Sequence, residues 1–401
     1  MYKVLKNDIL GQNEEYDMKR VAFAGTFDPI TNGHLWVIEE GLNMADEVIV
    51  MIAHNSNKKT LFTEQERKSM IDKVLQERDI AHRVKTVLIR NEYVAQSAQQ
   101  HGCSYLIRGI RSALDFDYES LIQKTNTDVL KGAKTLFVMP PRELESVSSS
   151  FVKSLIGPVG WHWNIKNFLP SSVYDAWLKK YIENMVNEFL INKVFTESVK
   201  NNLLDEVFSA YGNKWRFYHN IEHIAHALQE LQWLNSNHNL DKGLNEHLLL
   251  AILAHDIIYN SEDKEKSDEE QSAIWFNDFA KKNKYPTKDI KTVCDMIDAT
   301  SHFSANKEKN EGQKILCSID LAILAQHTSV YDWYTDAIRK EYSFVNDTDF
   351  YRGRLKALKS LSSKESLFDS NYFEHYEDRA KNNLLSEINK IESKKERLSN
   401  D

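Results

Sequence analysis

The sequence is poor in the features that mark secreted and membrane-spanning proteins. It has only three cysteines, Cys103, Cys294 and Cys317, which lie too far apart for a metal-binding or redox motif. Such sparse cysteines suit a reducing compartment and burial as small apolar side chains. The apolar runs are too short to span a bilayer, and the first twenty residues lack the apolar centre of a signal peptide. We therefore expect a cytoplasmic protein that does not enter membranes.

A basic excess is also missing. The formal net charge is -8 at pH 7, and no stripe of lysine and arginine is present. Proteins that follow a nucleic-acid backbone normally carry such a stripe, so we expect no nucleic-acid partner. What the chain does have is 401 residues that are 42% hydrophobic and 11% aromatic. Because single cores stop growing near about 250 residues, this length and composition predict two domains.

The pattern of apolar residues changes near residue 180. Before that point, short apolar runs alternate with helical segments, one of which opens with a capping box of Thr63 and Glu66. This alternation predicts a doubly wound parallel α/β sheet, and the helical spacing that follows predicts an all-α half. The predicted strands are 21–25, 47–53, 84–89, 104–109 and 135–139. The predicted divisions are an extension over 1–17, an α/β domain over 18–178 and an all-α domain over 179–401.

The stretch GTFDPITNGH, from Gly25 to His34, follows the first predicted strand. In parallel sheets, ligands bind beyond the carboxyl ends of the strands, where the next helix N-terminus attracts anions. Gly25 permits a tight turn, Thr26 can donate a hydrogen bond, and His34 lies in the first helical turn. The stretch therefore predicts a phosphate site. The alternative is an ordinary turn in which Asp28 and Thr31 cap the helix and His34 only packs.

The same stretch resembles the nucleotidyltransferase signature, and further blocks narrow the resemblance to the phosphopantetheine adenylyltransferase family. It covers roughly residues 18–178 and implies a Rossmann-like nucleotidyltransferase fold. It also implies transfer of AMP from Mg²⁺-bound ATP to 4'-phosphopantetheine, giving dephospho-coenzyme A and pyrophosphate, by a homo-oligomer that is hexameric in that family. The further blocks are NSNKKTLFTEQER at 55–67, LIRGIRSALDFDYE at 106–119, VSSSFVKSL at 147–155 and NFLPSSV at 167–173.

This resemblance also implies roles for individual residues. Thr26 and His34 lie against the α-phosphate, where His34 stabilises the transition state. The acceptor's phosphate is held by Lys58 and Arg108, with Asn126 also at the acceptor site. The ATP contacts that it implies are Gly25, His34, Arg111, Glu119, Ser148, Ser149 and Ser150. Simpler alternatives are a loop lysine at 58, surface ion pairs at 108 and 111, and a helix cap at the serine run.

One segment departs from the family pattern. Glu92, Tyr93 and Val94 replace an apolar pair that contacts the pantetheine arm in the family, and Ala24 stands where proline is common. The fit to the phosphates of the substrates is unaffected by these positions. The alternative function for this domain is therefore adenylyl transfer to a different phosphorylated acceptor.

In the second half, three short segments place histidine and aspartate among apolar residues. His219, His223 and His226 have the spacing of one helical face, which predicts a row of imidazoles. A strongly apolar run then ends in the adjacent pair His255 and Asp256, and CSIDLAIL carries an aspartate at 320. Burial of such groups is costly unless they are paired or bind a metal. The segments therefore predict a buried metal site.

These segments resemble the HD-domain metal-dependent phosphohydrolases, and over about 185–375 the chain is similar to small predicted members of that group. The resemblance implies that His219 is a general acid, because the surrounding stretch is similar to one in cyclic-nucleotide phosphodiesterases. Arg339 is a candidate phosphate contact or an ordinary surface arginine. The alternative is a non-catalytic module that binds a nucleotide. The implied ligands of a divalent metal, Mn²⁺, Fe²⁺, Mg²⁺ or another, are His223, His255, Asp256 and Asp320.

Overall fold

The computed structural model describes residues 18–53, 59–259, 265–301 and 308–400. Over these residues the chain divides into two compact units. Both units contain part of the helices that begin at Trp161 and Ser171. Among the described residues, the first unit comprises 18–156 and 165–174, and the second comprises 157–164 and 175–400. The predicted extension over 1–17 lies outside the described residues.

The first unit contains a five-stranded sheet in which all neighbouring strands are parallel. The strand order is β3-β2-β1-β4-β5, so the chain builds outward from β1 first on one side and then on the other. This order confirms the predicted doubly wound parallel sheet, and its switch point lies between β1 and β4. The strands are β1 (Arg20–Gly25), β2 (Glu47–Ala53), β3 (Val84–Ile89), β4 (Tyr105–Gly109) and β5 (Lys134–Val138).

The central strands are apolar on both faces, because helices cover both sides of a parallel sheet. Ala22 of β1 and Val48 and Val50 of β2 are fully buried. All five predicted strands are confirmed within one residue at each end. The predicted capping box is confirmed as well, since the Thr63 hydroxyl accepts from the Glu66 N–H at 3.2 Å and the Glu66 carboxylate accepts from the Thr63 N–H at 2.7 Å.

Four α-helices connect the strands of this sheet, and three more follow its last strand. A Cβ atom at Gly41 would lie only 2.9 Å from a Val48 methyl group, so the first helix approaches β2 closely. None of the residues of the fourth helix is buried within the chain. The helices are α1 (Asn32–Met44), α2 (Glu64–Glu77), α3 (Val94–Gln100), α4 (Ala113–Lys124), α5 (Ser149–Ser154), α6 (Trp161–Lys166) and α7 (Ser171–Phe189).

The second unit is helical over its described residues, as the apolar spacing predicts. No helix in the described ranges is long and apolar enough to cross a membrane. That the helices form an HD-type fold stays a prediction. The helices are α8 (Glu197–Tyr211), α9 (Ile221–His238), α10 (Lys242–Ala254), α11 (Asp268–Lys282), α12 (Thr287–Ala299), α13 (Glu311–Leu321), α14 (Thr328–Glu341), α15 (Asp347–Ser362) and α16 (Glu377–Asn400).

Candidate active sites

The first unit has a cavity of about 550 Å³ at the carboxyl ends of β1 and β4. It therefore occupies the switch point of the sheet, where ligands of doubly wound proteins bind. The first turn of α1 also lines it, and a helix N-terminus favours an anion. The predicted site residues that line this cavity are Gly25, Thr26, His34, Arg108, Arg111, Glu119, Ser148, Ser149 and Ser150.

Two predicted residues are not among the lining residues. Asn126 lies in the helical turn that follows α4, away from the described lining of the cavity, and its role at the acceptor site stays a prediction. Lys58 lies outside the described residues. Its neighbour Lys59 and the more distant Lys153 both line the cavity, and sequence reasoning assigned neither of them a role.

His34 is held by the start of its own helix. Thr31 is the N-cap residue of α1, and its backbone N–H donates to Nδ1 of His34 at 3.0 Å. A nitrogen that accepts from a backbone N–H carries no hydrogen, so the neutral ring keeps its hydrogen on Nε2. Burial, with a smaller effect of the nearby Arg111 charge, lowers the pKa of His34 to about 4. At pH 7 His34 is therefore a neutral hydrogen-bond donor.

Asp28 does not cap α1, contrary to the simpler interpretation of the turn, which was right only for Thr31. Its side chain is buried and accepts from the backbone N–H groups of Leu61 and Phe62, each at 2.9 Å. It also binds Lys153 Nζ at 2.8 Å. Asp28 therefore joins the β1–α1 loop to the segment before α2.

Arg67 of α2 is buried and supports the β1–α1 loop. Its guanidinium donates a hydrogen bond to the carbonyl oxygen of Thr26, and its side chain is almost fully buried. Sequence reasoning missed this residue because its partner is a backbone atom far away in the sequence. The backbone of Thr26 is thus fixed where the predicted α-phosphate contact begins.

The two predicted arginines line the cavity and also form ion pairs. Arg108 donates to the Ala24 carbonyl at 2.6 Å and lies 3.5 Å from Glu119, while Arg111 binds Asp115 at 2.9 Å. Both arginines therefore form ion pairs, as the simpler alternative predicts. Both also line the cavity, so the ion pairs do not exclude contact with a ligand.

The serine run begins the short helix α5. Ser148 is its N-cap and accepts from the Phe151 N–H at 3.2 Å, so the cap alternative holds for this serine. The Ser149 hydroxyl donates to the Pro29 carbonyl at 2.7 Å, which ties α5 to the β1–α1 loop. Ser150 is exposed and follows both on the lining of the cavity.

In the second unit, His223, His255, Asp256 and Asp320 come together. The ligating atoms of the four side chains all lie within 4.8 Å of one another. His223 is on α9, His255 and Asp256 follow α10, and Asp320 is on α13. The Nε2 atoms of the two histidines face each other at 3.0 Å. The four predicted ligands are thus brought to one point from three helices.

The chemistry of this cluster fits a divalent cation. The His255 ring donates its Nδ1 hydrogen to the Ile252 carbonyl at 2.9 Å, which leaves Nε2 free to bind. Asp256 Oδ2 lies 3.1 Å from that Nε2, and Asp320 Oδ1 lies 3.6 Å from it. Two imidazoles and two carboxylates form a donor set that suits manganese, iron or zinc. The identity of the metal stays a prediction.

The charges in the cluster also call for a cation. Burial opposes charge on His255, but Asp256 and Asp320 outweigh it and raise the pKa of His255 well above its usual value. Burial and then repulsion by His255 lower the pKa of His223 to about 3. Burial works against both carboxylates, yet His255 outweighs it and lowers the pKa of each. Without a metal, the two carboxylates favour a protonated, positively charged His255. A bound metal ion would supply that positive charge instead.

Arg216 holds the backbone around the metal cluster. Its guanidinium donates to the carbonyls of Asp256 at 2.7 Å, Ile257 at 2.9 Å and His219 at 3.3 Å. The arginine is buried, and its charge lies over the rings of neighbouring aromatic residues. Sequence reasoning missed it because a carbonyl partner leaves no signal in the sequence.

His219 lies before the helix and not on its face. The helix α9 begins at Ile221, so the prediction of one face with His219, His223 and His226 in a row was wrong. His226 instead lies 3.4 Å from Glu230 within the core of the unit. The error arose because helical spacing was extended to His219, which lies one residue before the N-cap, Asn220.

A buried glutamate fixes His219. Its Nδ1 lies 2.7 Å from Glu341 Oε2, and Glu341 Oε1 accepts from the backbone N–H groups of Tyr218 and His219. Tyr259 stacks on the His219 ring at 4.0 Å. Burial disfavours the charged ring, but the hydrogen bond to Glu341 outweighs it and raises the pKa of His219. This arrangement suits a proton donor.

Arg339 has a structural position. It binds Asp347 at 2.7 Å and donates to the carbonyls of Tyr342 and Val345 at 2.7 and 3.0 Å. Its guanidinium also lies over the Phe350 ring. These contacts join α14 to α15 and favour the alternative in which Arg339 is not a phosphate contact.

Comparisons with known proteins bear on the first unit. A family model described as cytidylyltransferase-like matches residues 22–155. The chain is 40% identical over 166 residues to the phosphopantetheine adenylyltransferase of Chromobacterium violaceum, which covers 41% of this chain and 99% of that protein. It is 37% identical over 163 residues to the enzyme of that name from Neisseria meningitidis serogroup C, covering 41% of this chain and 94% of that protein.

A solved Plasmodium falciparum nicotinic acid mononucleotide adenylyltransferase, complexed with NaAD, is 17% identical, with a TM-score of 0.33 over 43% of this chain and 100% of that chain. The matches to sequences, together with the parallel sheet and its switch-point cavity, make the first unit a nucleotidyltransferase of the cytidylyltransferase-like class. More narrowly, the chain belongs to the phosphopantetheine adenylyltransferase family.

Proposed function

We propose that the first unit transfers AMP from ATP to 4'-phosphopantetheine and forms dephospho-coenzyme A and pyrophosphate, a step of coenzyme A synthesis. The observation that carries the proposal is the switch-point cavity, which combines a neutral His34 with two arginines in a chain of this family. The relatives bear the name of this activity, and the chain spans nearly their full length.

The reaction needs positioning more than a base. An oxygen of the acceptor's phosphate forms a bond to the α-phosphorus, and the bond from that phosphorus to the β-phosphate oxygen breaks. Pyrophosphate leaves with the electron pair, and no proton has to be removed from an already ionised phosphate. The Nε2–H of His34 and the hydroxyl of Thr26 would donate hydrogen bonds to the α-phosphate as its charge grows.

Charges around the cavity would orient the two substrates. Arg108, with Lys58 and Asn126, is assigned to the acceptor, and Arg111 with the serine run is assigned to ATP. Glu119, which is assigned to ATP, lies 3.5 Å from Arg108 and would hold the guanidinium of that arginine in place for the acceptor. A Mg²⁺ ion that enters with ATP would neutralise part of the triphosphate charge.

A phosphorus NMR time course of the full-length protein tests this proposal. With ATP, 4'-phosphopantetheine and Mg²⁺, signals of dephospho-coenzyme A and pyrophosphate should rise together. The His34→Ala variant should lose roughly 10²- to 10³-fold in kcat, as other enzymes do when one transition-state donor is removed. The exposed histidine variant His82→Ala is the matched control and should keep the rate.

The acceptor is tested in the same assay. Glu92, Tyr93 and Val94 permit a different phosphorylated acceptor, and Tyr93 exposes 63% of its surface beside α3. Pyrophosphate release with another phosphate monoester, and none with 4'-phosphopantetheine, would contradict the proposed acceptor and support the proposed adenylyl transfer. Absence of pyrophosphate with every acceptor would overturn the proposal.

We propose that the second unit is a metal-dependent phosphohydrolase. The observation that carries this proposal is the convergence of the four predicted ligands beside a histidine that Glu341 holds ready to donate a proton. A divalent ion bound there would act as a Lewis acid toward a phosphoryl oxygen. His219 would give its proton to the leaving oxygen as the phosphorus–oxygen bond breaks.

A hydrolysis assay separates this proposal from its rival, a non-catalytic nucleotide-binding module. Full-length protein loaded with Mn²⁺ should release phosphate from some phosphate esters, and Asp256→Ala should lower that rate by at least about 10³-fold. The control Asp295→Ala removes a side chain that is 44% exposed and pairs with Lys291, and it should keep the rate. Metal binding without turnover of any ester would favour the regulatory module.

We also propose that the first unit assembles with copies of itself. Apolar side chains of α4 face solvent in the single chain, with Leu114 82%, Tyr118 65% and Leu121 64% exposed. Exposed apolar patches of this kind usually mark an interface. Light scattering should give a multiple of the chain mass of 46.7 kDa, and Leu121→Glu should lower it. A monomer at micromolar concentration would contradict this proposal.

A further inference from the structure

A second cavity, of about 390 Å³, begins at the metal cluster of the second unit. Its volume lies within the range of small-molecule sites. Asp320 belongs to both, because its Oδ1 lies 3.6 Å from Nε2 of His223 and its side chain lines the cavity. The Asp320 side chain is 31% exposed, against 2% for His223 and for His255. The cluster therefore opens toward this cavity.

One wall of the cavity is a face of α15. Gly353, Lys356, Ala357 and Ser360 recur at the spacing of a single helical face, and Lys364 follows just after the helix. A Cβ atom added at the glycine would have no other atom within 4 Å. The wall is thus open at this position, and a side chain placed there would project without a clash.

The lining is positively charged although the chain as a whole is acidic. The lining lysines are Lys309, Lys356 and Lys364, whereas Asp320 is the one acidic residue among the described lining residues. Lys309 binds Asp369 at 2.8 Å, but the other two lysines form no ion pair within the described residues. A positive cavity in a chain of net charge -8 concentrates anions at this place.

The remaining lining is partly apolar. Ala299, Leu321 and Leu361 contribute apolar surface to the lining. A ligand that fills the cavity therefore has an uncharged body as well as negative charge. A small phosphorylated compound has this combination. It would place one phosphoryl group at a metal ion held beside Asp320 and another anionic group at the lysines.

We propose that this cavity binds the substrate of the metal centre, and that the substrate is a phosphorylated small molecule with a second anionic group held by Lys356 and Lys364. This proposal rests on the phosphohydrolase function proposed above. In the reaction, a water oxygen bonds to phosphorus and releases one proton to solvent, the phosphate ester bond breaks, and the leaving oxygen takes a proton from His219. His219 then regains a proton from solvent. The second anionic group stays bound at the lysines and is not changed.

The kinetic test compares two probes on the full-length, Mn²⁺-loaded protein. Adenosine 3',5'-bisphosphate carries a second anionic group, and 4-nitrophenyl phosphate does not. We expect kcat/KM to favour the bisphosphate at least tenfold, and this preference to fall roughly tenfold in the double variant Lys356→Ala/Lys364→Ala, which corresponds to about 1.4 kcal/mol. The control Lys359→Ala removes a lysine of the same helix that binds Glu392 outside the cavity. Equal preferences in the double variant and the control would overturn the proposal.

A labelling test does not depend on turnover. Pyridoxal 5'-phosphate is a phosphorylated aldehyde that forms imines with lysines in anion sites, and borohydride reduction fixes them for mass spectrometry. Lys356 and Lys364 should be labelled several-fold faster than Lys359, and adenosine 3',5'-bisphosphate should protect them. Such protection without hydrolysis of any ester would contradict the proposed phosphohydrolase activity and support the proposed binding site. Equal labelling without protection would overturn the site even if hydrolysis is found.

An occlusion test uses the open wall position. Gly353→Leu should place a side chain in the cavity and abolish both the protection and the bisphosphate preference. Gly353→Ala adds only a methyl group and should retain both, while stabilising the helix slightly. Retained protection in the leucine variant would show that the anion binds elsewhere.

Discussion

The two sites of this chain handle histidine in opposite ways. In the first unit, His34 is kept neutral, because burial lowers its pKa and a backbone N–H occupies Nδ1. In the second unit, the hydrogen bond to Glu341 raises the pKa of His219 and so favours the protonated ring. A donor for an oxyanion needs a fixed hydrogen, and a general acid needs a transferable proton. The two rings differ because burial prevails at His34, whereas the hydrogen bond to Glu341 outweighs burial at His219.

Metal removal should give the largest contrast between the units. A chelator should lower the free energy of unfolding of the second unit by about 4 kcal/mol if the metal is present at 1,000 times its Kd, because only the folded ligands bind it. The transition of the first unit should not move. Scanning calorimetry of the chain with Mn²⁺ and with excess chelator measures both transitions. An equal shift of both transitions would contradict this prediction.

Arg216→Met should destabilise the second unit by about 3 kcal/mol, since three carbonyl acceptors lose a charged donor. It should also weaken metal binding roughly 10- to 100-fold, because the Asp256 backbone loses its support. Urea unfolding and metal titration measure the two effects. The exposed variant Arg352→Met, which breaks only a pair with Asp349, is the control and should change neither.

Acid should destabilise the first unit through His34. The pKa is about 4 in the folded chain and 6.5 in the unfolded chain, so the unfolded state binds the proton first. The stabilisation is complete above pH 6.5 and is lost as the pH falls toward 4, by about 3 kcal/mol in all. Urea unfolding between pH 7 and 4 measures it. His34→Gln keeps a capping residue without titrating, and it should lose this part of the pH dependence. The same slope in both proteins would contradict the prediction.

Glu341→Gln tests the opposite histidine and should have the smallest effect. Without the carboxylate, the pKa of His219 should fall, and hydrolysis, which needs the protonated ring, should fail at a lower pH. We expect the alkaline limb of the pH–rate profile to move down by about one unit, or about 1.4 kcal/mol. The exposed variant Glu308→Gln is the control. An unchanged limb would mean that another group donates the proton.

Sequence reasoning succeeded where the local residue pattern carries the signal. The strands were predictable because continuous apolar runs suit a sheet covered on both faces. Asp320 was predictable because a charged residue is unusual among apolar neighbours. It failed where a partner is a backbone atom far along the chain. Arg67, Asp28 and Arg216 bind such atoms, and their sequence neighbours give no sign of it.

Two further errors have physical causes. The row of histidines was placed on one face because periodicity alone does not reveal that Asn220 caps the helix and so excludes His219. Glu341 was missed although Arg339, two residues earlier, was named as a candidate. Glu341 lies on the same helical face as Tyr334 and Ile338, and the three are buried together. A glutamate on an otherwise apolar helical face is a signal that could have identified it.

The capping of α1 by Thr31 and His34 has a consequence for the order of folding. Both residues lie within one helical turn, so the orientation of this ring is a local property that forms as soon as the helix does. The four metal ligands come from three helices, and the loop from His223 to Asp320 must close before they meet. During refolding, the first site should gain its geometry with its helix, whereas the second should mature only with long-range docking.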